Sequence, residues 1–166
     1  MWLNLKSEIT DSFLEAIINA YNSLQENDIL HLYVNSEGGD HDIMAVTSSV
    51  INRNKERTIL YGWGQLYSSA FELFIRAQCK KHIIGSCIGA YHQVSTPIYV
   101  GFEGKPSTTE DQIKLEISKK ILTNHSRKIF GTKGISLQQR KKLMNGEDVY
   151  FTTEQLASIV KATILK

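Results

Sequence analysis

Four short stretches of this 166-residue chain carry residue types that could do chemistry. Gly38-Gly39 follows an apolar run, and glycine lets backbone amides approach a reacting carbonyl oxygen closely, although a paired glycine also serves wherever the backbone needs positive φ. Ser68 lies in Gly64-Gln65-Leu66-Tyr67-Ser68-Ser69-Ala70, a turn into an apolar segment. A helix starting there would offer free amides and a positive dipole end, which favour an ionised nucleophile and a neighbouring oxyanion. A serine in that place is equally suited to capping the helix. His92 closes another apolar run and fits either a base or a structural polar group. Asp148 sits in the polar stretch 145–153 ahead of a helix cap and by itself reads as a solvated loop carboxylate.

The remaining histidines carry less chemistry. His31 lies within an apolar strand, His41 neighbours two aspartates on what reads as a solvated helix start, His82 follows Lys80-Lys81, and His125 falls on a long helix. Asp40-His41-Asp42 does not make a metal site, because adjacent side chains do not readily converge on one ion, and no metal or cofactor is expected. Cys79 and Cys87 match no zinc spacing and are too few for a disulfide framework, so reduced thiols and a cytoplasmic setting are expected. Nineteen Lys/Arg against seventeen Asp/Glu leave a formal +2 with the basic residues scattered, which shows no footprint for nucleic acid or anionic lipid. No apolar run has signal-peptide or membrane-span length, and a soluble, unsecreted protein follows.

The elements that must position these residues alternate. Thr10 or Asp11 opens a first helix with Phe13, Ile17, Ile18, Tyr21 and Leu24 at helical spacing. Residues 28–35 read as a buried strand ending at Ser36-Glu37-Gly38-Gly39, and residues 42–52 as a helix with Ile43, Val46, Val50 and Ile51 inward. A strand over 57–63, a helix over 67–77 and two short strands over 82–85 and 88–94 come next. Strand, glycine turn and helix in alternation predict an α/β fold. In the second half, Ile113, Ile117, Ile121, Leu115 and Leu122 mark a long helix running to Phe130. Ser136 caps a helix through Leu143, Tyr150-Phe151 reads as a brief strand, and Thr152 or Thr153 caps a last helix to about Val160. Without a linker-like tract, residues 1–166 are expected to form a single domain.

Taken in order, the four stretches resemble a known family. Ile29-Leu30-His31-Leu32-Tyr33-Val34-Asn35-Ser36-Glu37-Gly38-Gly39 is similar to the strand and Asn-Ser-Pro-Gly-Gly turn of ClpP, the proteolytic subunit of the ATP-dependent Clp protease. Gly64-Gln65-Leu66-Tyr67-Ser68 resembles that family's Gly-Gln-Ala-Ala-Ser turn, and Tyr91-His92-Gln93 its Met-Ile-His-Gln-Pro segment. Glu8-Ile9-Thr10-Asp11 is similar to the Gly-Glu-Ile-Thr-Asp start of its first helix. Asp148-Val149-Tyr150-Phe151-Thr152-Thr153-Glu154 resembles its Asp-x-aromatic-x-Ser/Thr-Ala stretch, particularly in phage-type relatives.

The resemblance implies a ClpP/crotonase-type fold of stacked strand-strand-helix units, with the long helix as a handle between rings, and a serine endopeptidase subunit acting on peptides or unfolded proteins. It assigns Ser68 as nucleophile, His92 as base and Asp148 as the carboxylate orienting the histidine, with Glu147 the competitor for that last role. Amides near Gly38 and Gly39 and that of Ser69 would hold the oxyanion; Ser69 stands where the family usually has Met. A homo-oligomeric ring and a Clp-type unfoldase partner are further implications. The departures are Glu37 for Pro, Glu72 on the helix after Ser68 where the family is apolar, Val94 for Pro, and the absence of the family's axial-gate stretch before the first helix. A buried Glu72 would need a partner or a raised pKa. The alternative reading is an inactive ClpP-like structural or regulatory subunit. An acyl-CoA enzyme of the crotonase type would not need this Ser-His-Asp set, and a Ser-Lys signal-peptide peptidase would need a secretory context.

Overall fold

In the segment Leu30–Ser36, residues 30, 32, 34 and 36 are buried while 31, 33 and 35 are half-buried, the period-two pattern of a strand packed on one face. This strand, β2, sits inside a six-stranded sheet of the computed structural model, which describes residues 1–92, 134–145 and 147–166. The other strands are β1 (Trp2–Leu5), β3 (Thr58–Tyr67), β4 (Lys80–Tyr91), β5 (Val149–Phe151) and β6 (Thr163–Leu165). The order is β1-β2-β3-β4-β5, with β6 also on β4. All pairings are parallel except β4 with β5. Helices α1 (Asp11–Ser23), α2 (His41–Arg53) and α3 (Ser69–Arg76) connect the parallel strands, as parallel pairing requires, and α4 (Leu137–Met144) and α5 (Thr153–Val160) flank β5. The core contains Phe13 and Ile17 of α1, Met44 and Ile51 of α2, Phe71 and Phe74 of α3 and Leu156 of α5 against Leu32, Val34, Leu60 and Phe151.

The sheet turns a corner. β2 and β3 hold register as far as Val34↔Gly62 and resume at Ser36↔Leu66, so Asn35 spans Trp63, Gly64 and Gln65. β3 and β4 hold to Gly62↔Ile83 and resume at Gly64↔Cys87. Extra residues on one strand bend it and increase its twist. Asn35 secures the bend by accepting from the Gln65 amide at 3.1 Å, and Gly64 must be glycine because its φ is +65° and a Cβ there would lie 2.8 Å from the Asn35 amide nitrogen.

Several expectations are corrected here. The segments 82–85 and 88–94 form one strand as far as Tyr91, because Gly85, at φ +57°, takes up the bulge and pairing with β3 resumes at Cys87. β3 runs through Gly62 and Gly64 to Tyr67, so the helix behind it begins at Ser69 instead of 67. Val46 is exposed and Met44 is buried, which rotates the inward face of α2. The edge strands β1 and β6 are additional to those expected; at four and three residues they are too short for a period to stand out. The long helix expected over 113–130, with His125 and Val94, lies outside the described residues. Among those described, no helix is long and apolar enough to cross a membrane.

Candidate active site

Beyond the corner, the strand ends and the turns that follow them carry Ser36 to Gly39, Leu66 to Ser68, Gly89 to His92 and Asp148 to Phe151. Direct contacts join the Gly38-Gly39 turn to the Ser68 turn and Ser68 to the end of β4. Ser68 follows the last residue of β3 and its amide donates to the Ala90 carbonyl at 2.8 Å. Its backbone has φ 50° and ψ −121°, one of only two positive-φ conformations at a non-glycine among the described residues. Such a conformation costs an L-residue on the order of 1–3 kcal/mol and persists only where the surroundings enforce it. The conformation swings the chain sharply from strand into helix. Ser68 is the residue before α3, but its hydroxyl makes no capping hydrogen bond, so capping does not account for it.

The surroundings that enforce this turn include the glycine pair. A Cβ at Gly38 would lie 2.7 Å from Ser68 Cβ, 2.9 Å from the Tyr67 carbonyl oxygen and 3.1 Å from the Ser69 amide nitrogen, so only glycine admits this contact. Gly38 and Gly39 have φ of +107° and +134°. The Gly38 amide donates to Ser36 Oγ at 3.1 Å, an arrangement that a hydroxyl two residues upstream readily makes. Ile9 fastens the turn from the other side, its amide donating to the Gly38 carbonyl at 2.7 Å and its carbonyl accepting from Asp40 at 2.8 Å. Ser69 is buried and its hydroxyl donates to the Gly39 carbonyl at 2.9 Å, tying the glycine turn to the start of α3. Its amide, at the first turn of α3, has no partner within the helix.

His92 is exposed and follows β4 directly. The antiparallel register of β4 and β5 runs Gly89↔Phe151, Ala90↔Tyr150, Tyr91↔Val149, so His92 and Asp148 each lie one residue beyond its last pair. Asp148 is exposed, whereas neighbouring Glu147 is reached by the Asn145 side-chain amide at 3.4 Å. The helix behind β5 is fixed by Thr152, which accepts from the Gln155 amide at 3.4 Å in a capping box, and by Thr153, whose hydroxyl bonds both backbone groups of Cys87 at 3.0 Å.

Asp40, His41 and Asp42 divide their roles. Asp40 Oδ1 caps α2, accepting from Asp42 at 2.7 Å and Ile43 at 2.9 Å, while His41 turns away from solvent towards Glu72. Glu72 is buried and pairs with Arg76 Nε, with His41 Nε2 3.6 Å from its other oxygen. Its carboxylate holds the His41 pKa above the ordinary value, against the opposing effect of burial. Cys79 and Cys87 are free and buried, and burial pushes their thiols up to about 11 and about 12, leaving them neutral and unreactive. A polar cavity of about 240 Å³ lies beside the glycine turn, lined by Lys6, Ser7, Glu8, Asn35, Ser36, Glu37 and Gln65, and it includes none of Ser68, His92 or Asp148.

The roles of Asn35, Ser36 and Glu72 were not read from the sequence. Asn-Ser ahead of Gly-Gly was a usable signal, because short polar side chains bond locally to turn backbone. Nothing in the local pattern of Glu72 announced His41 as its partner, since they lie 31 positions apart.

Neither family models nor curated proteins give a match to this chain. Among solved structures, a point mutant of ClpP1 from Listeria monocytogenes matches it with a TM-score of 0.68, covering 99% of this chain and 91% of that one at 16% sequence identity. The fold is ClpP-like. That likeness extends over almost the whole of both chains.

Proposed function

We propose that the chain is a serine endopeptidase subunit that cleaves peptides or unfolded proteins, with Ser68 as nucleophile, His92 as general base and Asp148 as the carboxylate orienting the imidazole. The observation that carries this reading is the Ser68 turn. A hydroxyl on a positive-φ turn at a helix start, pressed against a glycine and not used as a cap, is the arrangement that presents an oxygen for attack.

Ser68 Oγ attacks the scissile carbonyl as His92 takes its proton, and the imidazolium then protonates the leaving amine; water reverses the sequence to release the acyl group. The negative charge on the tetrahedral oxygen needs convergent amides. Those of Gly39 and Ser69 are suited to it, because the Gly38 amide is engaged by Ser36 and Gly38 itself provides clearance. The Ser69 hydroxyl bonds to Gly39, which leaves Ser68 as the nucleophile. The likeness to ClpP further supports assembly into a homo-oligomeric ring served by a Clp-type unfoldase. Light scattering of the purified chain tests the ring; a monomer at micromolar concentration speaks against it.

A serine-directed fluorophosphonate tests the chemistry. Labelling is expected in the wild type, absent in Ser68→Ala, strongly reduced in His92→Ala and still present, though slower, in Ser69→Ala, which keeps the Ser69 amide but loses the bond to the Gly39 carbonyl. Labelling indifferent to both Ser68→Ala and His92→Ala overturns the peptidase reading.

A further inference from the structure

Glu72 is the one buried carboxylate among the described residues. Removing a carboxylate from water costs several kcal/mol unless its partners are well placed, and an apolar side chain would fill this place on α3 without that cost. The partners come from separate elements. Arg76 lies one turn on along α3, and His41 is the first residue of α2, directly after the glycine turn and its cap Asp40. The backbone amide of Glu72 donates to the Ser68 carbonyl at 3.1 Å. Tyr91, the residue before His92, is close enough for the Glu72 charge to act on its phenol. One carboxylate therefore adjoins the helix behind Gly38-Gly39, the helix behind Ser68 and the strand end that leads to His92.

We propose that Glu72, held by His41 and Arg76, is a positioning residue that clamps the glycine turn against the Ser68 turn and keeps the Gly39 and Ser69 amides convergent. This rests on the serine-peptidase reading. Ser69 Oγ donates to the Gly39 carbonyl at 2.9 Å, a direct polar tie between those two turns. A single hydrogen bond leaves a hinge, and the ion cluster one turn below it supplies the second point of attachment. The charged and titratable groups facing His41 are Glu72 and Arg76 of α3 and Asp42 of its own helix, with Tyr91 of β4 next to Glu72. Stability alone does not explain the cluster, because buried ion pairs are often replaced by apolar residues without loss of stability. Oxyanion donors, by contrast, tolerate little displacement.

The test is a double-mutant cycle on the second-order rate of Ser68 phosphonylation by a fluorophosphonate, with denaturant unfolding of each protein in parallel. His41→Gln and Glu72→Gln are each expected to slow labelling of the folded protein about tenfold, and the double variant no further than either alone. His41→Lys, which keeps a cation, should return the rate to within about threefold of wild type. Should Glu72→Gln fail to fold, Glu72→Leu replaces it, with the same slowing expected. Rates unchanged while stability falls, or losses that simply add, overturn the clamp. If Ser68→Ala labels as well as wild type, the peptidase reading has failed and hydrogen–deuterium exchange decides on the clamp alone. Faster exchange in residues 36–44 with 149–165 unaffected supports it, and uniform acceleration refutes it.

Discussion

At Gly38 the requirement on the residue is steric before it is chemical. Its φ of +107° is disfavoured for any side chain, and a Cβ would meet Ser68 Cβ at 2.7 Å. Gly38→Ala therefore has to move either the glycine turn or the Ser68 turn, and a displacement near 1 Å costs about a hundredfold in a positioned reaction. Fluorophosphonate labelling of Gly38→Ala should fall by about that factor. Asp40→Ala makes the contrasting case. It removes a helix cap worth about 1 kcal/mol, and denaturant unfolding should show that loss. Labelling at equal folded fraction should change far less than in Gly38→Ala; an equal loss in both would mean that the turn responds to stability and not to clearance. Residue chemistry at this site was partly legible, through the order and spacing of the glycine pair and the serine turn, since each alone has other uses. For Glu72 the need of a partner was legible but the partner was not, since His41 lies 31 positions away and only the fold brings it close.

The element that organises the site is the bend in β2, β3 and β4, and it was the least legible part of the sequence. Gly62, Gly64 and Gly85 read as strand ends because glycine usually weakens a ladder, yet here two of them adopt positive φ while the strand continues. Pairing with β2 and β5 on either side supplies what local propensity lacks. The helices were easier: α1 and α5 follow their apolar spacing and lie close to where it placed them, whereas α2 turned by about one residue so that Met44 replaced Val46 in the core. Asn35 gives the bend its own test. Asn35→Ala deprives the Gln65 amide of its acceptor and opens space beside Gly64, so a loss of about 1–3 kcal/mol is expected in denaturant unfolding. Because Gln65 lies three residues before Ser68, labelling should fall too, and Asn35→Asp, which keeps the acceptor oxygen, should recover most of both. Failure of that recovery would assign the effect to packing instead.

For the molecule as a whole, the histidines set opposing slopes in stability against pH. Burial lowers His31 and His82 from the ordinary 6.5, so the folded state prefers them neutral. Their contribution is present above 6.5 and is lost as pH falls through that value toward their lower folded pKa. His41 works the other way: the Glu72 carboxylate raises it, so the folded state binds a proton that the unfolded chain releases near 6.5. Its contribution is complete below 6.5 and disappears as pH rises through the higher folded value. Cys79 and Cys87, ordinarily near 9.0 and pushed up by burial, add a further loss only above about pH 9. Stability should therefore peak close to neutrality and decline on the alkaline side before any thiol ionises. His41→Gln should flatten that decline above pH 6.5 while leaving the acid side intact, as read by denaturant midpoints across the range. His82→Phe should do the reverse, flattening the acid side alone. An unchanged alkaline slope in His41→Gln would mean that Glu72 does not hold the imidazolium, and the clamp on the two turns would lose its electrostatic half.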